Sequence, residues 1–317
     1  MFACDGDLYY EYGMSKLTKI RIGTRKSPLA LAQAEEVRAL LAENWPELTV
    51  EIVPMTTSGD TFTDRPLADI GGKGLFTKEI EDALLAKQID IAVHSIKDMQ
   101  TVLPDGLTLG CIIEREDPRD RLVGHALHSL DDLPKGASFG TSSLRRSSQL
   151  LMRRPDIQIV PLRGSVQTRL QKMESGLVKA TMLAVAGLNR LQLWDTPGAT
   201  LSTDEFLPAI GQGAIGIECR ENDAAVMELL SPLADLDTEA AVICERAFLQ
   251  MLDGSCRTPI AGYATVEGKQ LHFRGLIVRP DGSAHHDVEI SGSSDDAEKL
   301  GRSAGEDLLS RCGKNFI

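Results

Sequence analysis

The sequence predicts an α/β protein of two parallel-sheet units, followed by a smaller α+β domain with an antiparallel sheet. Three observations carry this. Short apolar runs alternate with helical periods from Lys19 to about residue 113 and again from about 118 to 208, an order that requires crossover helices over parallel strands. Basic residues recur where these runs end. From about residue 234 the pattern changes to a long helix and three alternating strands joined by short turns.

In the first unit, 20–23 is a short strand. Ser27 before Pro28 is a helix N-cap with proline at the first helical position, and the helix covers 29–44. A strand follows at 48–54. Gly71-Gly72-Lys73-Gly74 closes a loop and opens a helix over 75–87, with Phe76, Ile80 and Leu84 on one face. The next strand, 89–93, is apolar on both faces and turns polar at once, giving His94, Ser95, Lys97 and Asp98 within five residues. Ligands of open α/β sheets sit beyond the carboxyl ends of strands, which makes this turn the first candidate site. A strand at 107–113 completes the run.

The second unit opens at 118–140. Its strand at 137–140 leads into Thr141-Ser142-Ser143, an N-cap cluster, and a helix to about 152. A strand at 157–161, a helix at 165–175 and a strand at 179–185 follow. Gly211-Gln212-Gly213 then starts a strand over 214–219 that returns to the first sheet. In the last domain a helix over 238–252 stops at Gly254, a C′ glycine. Strands at 260–266, 271–278 and 286–290 follow, with Pro280-Asp281-Gly282 as a turn, and a helix at 296–310 ends the pattern. Residues 1–18 hold three of the four tyrosines with no strand or helix period. They read as a disordered extension, with Met14 as an alternative start.

The 46 acidic and 34 basic residues give a net charge of −12, which argues against nucleic-acid or membrane partners. Any anion site must be a local basic cluster. The six cysteines (Cys4, Cys111, Cys219, Cys244, Cys256 and Cys312) form no C-x-x-C pair, so no metal site is indicated. With no signal peptide or membrane span in the pattern, the expected location is the cytoplasm.

The basic cluster is present. Arg25 and Lys26 follow the first strand, Lys73 lies in the glycine loop, and Lys97 follows the 89–93 strand. In the second unit Arg145 and Arg146 follow the N-cap cluster, Arg163 and Arg169 flank the next helix start, and Arg190 follows the last strand. Any one of these alone is best read as a solvated surface charge. At equivalent strand ends of two units in an acidic protein, together they describe a cleft for a polyanion, because guanidinium forks match carboxylates and phosphates. Asp98 is the exception, a carboxylate where an anion is expected, able to stabilise a developing cation or move a proton, or else simply to pair with Lys97 or an arginine. Cys256, in Gly254-Ser255-Cys256-Arg257, is either an exposed nucleophile or an inert thiol. Cys111, Cys219 and Cys244 read as core. His125, His128, His285 and His286 read as surface.

Eight stretches together resemble the porphobilinogen deaminase (hydroxymethylbilane synthase) family. They are Arg25-Lys26-Ser27-Pro28-Leu29-Ala30, residues 71–76, residues 90–98, Arg115-Glu116-Asp117-Pro118-Arg119-Asp120, residues 140–146, 183–188 and 207–213, and Gly254-Ser255-Cys256. The resemblance is collinear from about Lys19 to the last helix. It implies two doubly wound domains like the lobes of periplasmic binding proteins, plus a smaller α+β C-terminal domain with a three-stranded antiparallel sheet. The implied division is 1–18 extension, 19–113 plus 212–231 domain 1, 118–208 domain 2 and 235–317 domain 3.

The resemblance also implies a dipyrromethane cofactor in thioether linkage to Cys256. On it, four porphobilinogen molecules are deaminated and joined head to tail, and water releases hydroxymethylbilane. Asp98 matches the catalytic carboxylate, stabilising the positive charge that forms as ammonia leaves. Lys97, Ser143, Arg145, Arg146, Ser27 and Lys73 match cofactor binders. Arg25, Arg163, Arg169 and Arg190 match substrate binders. A monomer without metal is implied. Asp69, Met99-Gln100 and Ser165 depart from the family pattern without removing a catalytic group. Two other classes compete: a two-lobed solute-binding or sensor module, which needs neither Cys256 nor Asp98, and a thiol transferase using Cys256, which leaves the arginines unexplained.

Overall fold

The computed structural model describes residues 17–61, 74–252, 254, 258–312 and 316. The expectations for the N-terminal extension, Asp69, Lys73 and Cys256 lie outside the described residues.

The first sheet is built from β1 (Lys19–Arg25), β2 (Thr49–Met55), β3 (Ile91–Ser95), β4 (Leu107–Ile112) and a strand from much later in the chain, Ile215–Arg220. Its order is β2-β1-β3, then the late strand, then β4. β1 runs parallel to β2 and β3, whereas the late strand is antiparallel to both of its neighbours. The sheet is therefore mixed, where a largely parallel one was expected. The late strand arrives from the other lobe and can enter against its neighbours without a helical crossover. β3 is central, which is why Ile91, Ala92 and Val93 are buried on both faces.

Helix α1 (Pro28–Asn44) lays Ala34, Val37 and Leu41 on this sheet, all fully buried with Ile20 and Ile22. The i, i+3, i+7 spacing puts these three on one stripe. Next come α2 (Ser58–Thr61) and α3 (Lys78–Leu85). α3 is shorter than the expected 75–87: it starts after a turn at 74–77, and its C-terminal end breaks before Lys87, whose φ is 58°.

The second sheet has β5 (Asp120–Val123), β6 (Ser138–Gly140), β7 (Gln158–Val160), β8 (Ala180–Ala184) and β9 (Gly198–Thr200), in the order β7-β6-β8-β5-β9. β6 is parallel to β7 and β8, and β5 antiparallel to β8 and β9. Neither β5 nor β9, of four and three residues, was expected. α4 (Leu144–Arg153), α5 (Val166–Glu174) and α6 (Val185–Arg190) connect these strands. The two sheets share one plan, with the antiparallel member supplied by chain that has just crossed over. The crossings are residues 113–119 and 201–214, and the second delivers the late strand, β10, to the first sheet.

After β10 come α7 (Ala224–Leu230) and α8 (Leu236–Met251), the latter capped by Asp235, whose carboxylate accepts from Thr238 N at 2.8 Å. The third sheet is β11 (Ile260–Glu267), β12 (Gln270–Val278) and β13 (His285–Ser293), antiparallel throughout as expected. α9 (Ala297–Cys312) packs against α8 so closely that a Cβ on Gly301 would lie 2.1 Å from the Cys244 carbonyl oxygen. Phe248 and Phe273, with ring centroids 4.8 Å apart, fill the space between helix and sheet. No described helix is long and apolar enough to cross a membrane.

Candidate active site

β3 ends in a single 3-10 turn, Ile96–Asp98. Ile96 points into the core and anchors the turn; its backbone N–H donates to Ala214 O at 3.1 Å, and Met99 N–H donates to Ile96 O at 3.1 Å. This leaves Lys97 half-buried and Asp98 exposed. No described side chain hydrogen-bonds the Asp98 carboxylate. The Lys97 ammonium is directed to Gln212 Oε1, 3.5 Å away, while Asp98 acts on it by charge. Burial pushes the Lys97 pKa down to about 8, against the pull of Asp98 and Asp120 and with the push of Arg146 and Arg145.

Across from this turn stands the start of α4. Ser143 is its N-cap, accepting from Arg146 N at 3.4 Å, and Thr141 Oγ1 accepts from Ser143 N at 3.1 Å. Arg145 and Arg146 follow in the first turn, and both are buried. Arg145 Nη2 lies 2.8 Å from Asp120 Oδ2, and Arg145 Nη1 donates to Leu207 O at 2.9 Å. Arg146 donates through Nε and Nη2 to Asp120 Oδ1 at 3.2 and 2.6 Å, and through Nη1 to Met182 O at 3.0 Å. Gln212 joins the same carboxylate, Nε2 donating to Asp120 Oδ1 at 3.2 Å and to Pro118 O at 2.7 Å. A continuous polar chain thus runs from Lys97 through Gln212 and Asp120 to the two arginines. Arg145 Nε is buried with no hydrogen-bond partner among the described residues.

Arg163 and Arg169 flank the start of α5, where Ser165 is the N-cap, accepting from Thr168 N at 3.2 Å. Arg169 Nε donates to Gly164 O at 2.9 Å. Burial lowers the Arg169 pKa to about 10; Arg146 and Arg163 push the same way and Asp98 opposes them. Arg169, Arg146, Lys97 and Asp98 therefore act in one electrostatic field, drawn from both sheets. Arg25, at the end of β1, stands with its guanidinium carbon 4.3 Å from the Phe76 ring centroid. Ser27 caps α1, accepting from Ala30 N at 3.3 Å.

Arg190 is placed differently. Its Nε donates to Glu36 Oε2 at 2.7 Å and its Nη1 to Gly213 O at 3.1 Å, so it ties α6 to α1 across the lobes. The residues given no role beforehand are Asp120, Gln212 and Arg115, which appeared only within motifs, and Glu36 and Glu245, which did not appear. Arg115 donates to both carboxylate oxygens of Glu245 at 2.6 and 3.2 Å, and Glu245 also accepts from Gly211 N at 2.6 Å and Ala264 N at 2.9 Å. Asp120 lies in a stretch where acids and arginines alternate, Glu114 to Arg121, so nothing in the local pattern marked it as the counterion of the cleft. His94 is buried, its Nε2 3.1 Å from Glu218 Oε2, and is remote from solvent.

This arrangement defines a class, a two-lobed α/β protein whose facing strand ends form a cationic cleft around a carboxylate with no hydrogen-bond partner among the described residues. Residues 20–228 match the family model described as "Porphobilinogen deaminase, dipyromethane cofactor binding domain", and residues 240–310 match "Porphobilinogen deaminase, C-terminal domain". Porphobilinogen deaminase, chloroplastic, of Oryza sativa subsp. japonica is 51% identical over 310 residues, covering 96% of this chain and 87% of that protein. Porphobilinogen deaminase of Nitrobacter hamburgensis is 52% identical over 298 residues, covering 93% and 94%. Among solved structures, a TRAP periplasmic solute binding protein from Desulfovibrio salexigens is similar with a TM-score of 0.44 and 13% identity, over 69% of this chain and 73% of that one.

The chain belongs to the porphobilinogen deaminase family. Its activity is that of a transferase of tetrapyrrole biosynthesis, which deaminates porphobilinogen and joins the units on a dipyrromethane cofactor. The competing readings, a solute-binding module and a thiol transferase, fall away.

Proposed function

We propose that Asp98 is the catalytic carboxylate of this reaction and that Cys256 carries the dipyrromethane through a thioether. Lys97, Ser143, Arg145, Arg146, Ser27 and Lys73 bind the cofactor, and Arg25, Arg163, Arg169 and Arg190 take the incoming porphobilinogen. The product released by water is hydroxymethylbilane. The observation that carries this reading is the state of Asp98, an exposed carboxylate with no described hydrogen-bond partner in the field of Arg169 and Lys97.

The donor set suits the cofactor. A group bearing several carboxylates needs fixed cations, and Lys97, Arg169 and the unsatisfied Nε of Arg145 supply donors around one turn. When bound, the dipyrromethane supplies the free α-carbon to which substrate is added. The chain's own residues do the rest. The cations hold acetate and propionate groups, and Asp98 accepts from pyrrole N–H and stabilises the positive charge that forms as ammonia departs, a preorganised electrostatic role. Arg190 joins the substrate set by exchanging Glu36 for a substrate carboxylate. Thiol chemistry supports the choice of Cys256, since burial pushes Cys111 and Cys244 up to about 12 and Cys219 up to about 11, leaving them protonated.

The same reading divides the chain into 19–113 plus 212–231, 118–208 and 235–317, and takes the working form as a cytoplasmic monomer. The test is intact mass. The purified protein carries an added mass of two pyrrole units, and Cys256→Ser removes it. An active protein without that added mass overturns the assignment.

A further inference from the structure

With no described side chain holding the Asp98 carboxylate, its position depends on the backbone of its turn and on what backs that turn. The backing comes from the third domain. On α8, Val242 and Arg246 are four residues apart and share a face. Val242 is fully buried in one cluster with Ile96 and Met99, the two apolar residues that bracket Lys97 and Asp98. One turn further along α8, Arg246 Nη2 donates to Gln100 O at 2.7 Å and to Thr101 O at 3.1 Å. Those carbonyls belong to the segment that leaves the turn.

We propose that Arg246 is a positioning residue for catalysis, a guanidinium on the third domain that, with Val242 beside it, fixes the turn carrying Asp98. Three features make it suited to this. Its charged donor reaches two successive backbone carbonyls, and charge-assisted bonds are roughly twice as strong as neutral ones. It reaches the backbone, so it acts on Asp98 without neutralising it. Its cost is offset locally, because burial lowers the Arg246 pKa while the buried Glu218 carboxylate opposes that shift.

Lysine cannot replace it fully. An ammonium on a shorter, flexible stem is a point charge without the planar fork. The neighbouring Glu245 on α8 grips Arg115 and Gly211 in both crossings, so successive residues of one helix hold the turn carrying Asp98 and the two crossings.

The inference rests on Asp98 being catalytic, and the experiment separates the two claims. Holo forms of wild type, Asp98→Asn and Arg246→Lys are compared for kcat, KM for porphobilinogen, thermal midpoint and intact mass. Arg246→Lys is expected to stay folded and cofactor-loaded, with KM within about threefold of wild type and kcat lowered about tenfold or more. A kcat within about twofold of wild type, or a loss carried by KM, overturns the proposal. Should Arg246→Lys fail to fold, Val242→Ala, which loosens Ile96 and Met99 from the same face, is judged by the same criteria. An Asp98→Asn protein with normal turnover removes Asp98 from its role; an inactive Asp98→Asn beside a fully active Arg246→Lys refutes the positioning role alone.

Discussion

Asp120 and Arg146 form the tightest ion pair of the cleft wall, with Nη2 and Nε of the guanidinium both on Oδ1 at 2.6 and 3.2 Å and the carboxylate fully buried. Arg145 faces the other oxygen at 2.8 Å. One carboxylate thus holds two neighbouring guanidiniums that would otherwise repel each other, and it leaves the pair with a net positive charge for a ligand.

Replacing Asp120 with asparagine keeps the shape and removes the charge. Breaking a buried pair by deleting one partner costs about 3–5 kcal/mol, and here two cations are stranded. Burial alone would raise the Asp120 pKa, but Arg145 and Arg146, by charge and then by hydrogen bonding, hold it well below the usual carboxylate range. A depressed folded pKa stabilises the fold fully above the unfolded value of about 3.9, and this contribution is lost as pH falls through the folded value. Urea unfolding of Asp120→Asn should show the loss at pH 7. From about pH 4 downward the variant and wild type should draw together progressively and meet only below the folded value, because wild type loses the same contribution across that window. Parallel curves at all pH values would contradict this.

Lys97 gives a prediction on the alkaline side. Its pKa of about 8 lies below the ordinary 10.5, with burial as the main cause. Between these values the unfolded chain binds more protons, so this group's effect on stability becomes more favourable as pH rises through that window. A carboxylate bound beside the ammonium must reverse the shift, because an opposite charge favours the protonated form. Competitive labelling of lysines should find Lys97 titrating near 8 in cofactor-free Cys256→Ser and clearly higher in the loaded wild type. Equal values in both would detach Lys97 from the cofactor's carboxylates.

The legibility of the site followed from distance along the chain. Lys97 and Asp98 could be read because β3 is buried on both faces and the sequence turns polar where the strand stops. Ser27 and Ser143 could be read because a cap is a local feature; they accept from the backbone N–H three residues on, as does Ser165, which was placed at a helix start without being read as its cap. The three strands of the last sheet were equally plain, each at least eight residues long. What could not be read was partnership. Asp120 meets Arg146 across 26 residues, from a strand that was not expected. Glu36 meets Arg190 across 154. Charge at a strand end shows in a pattern, whereas the choice between a ligand and a buried counterion depends on which elements the fold brings together.

Gly211 offers a way to move the turn carrying Asp98 by a small push. Its φ is +68°, and a Cβ there would lie 2.3 Å from Ile96 Cγ2 and 2.9 Å from Ile96 Cβ. Gly211→Ala combines a left-handed backbone penalty of about 1–2 kcal/mol with overpacking of about 1–3 kcal/mol. Gly136 separates the two effects, because its φ is +70° and a Cβ there would meet nothing within 4 Å. Gly136→Ala should lose about 1–2 kcal/mol of stability and keep normal turnover. Gly211→Ala should lose more and also slow turnover, because Ile96 can yield only by shifting the turn that carries Asp98. Thermal melts and steady-state kinetics on both variants decide the matter. Equal turnover in the two would show that Ile96 can move without carrying Asp98 with it.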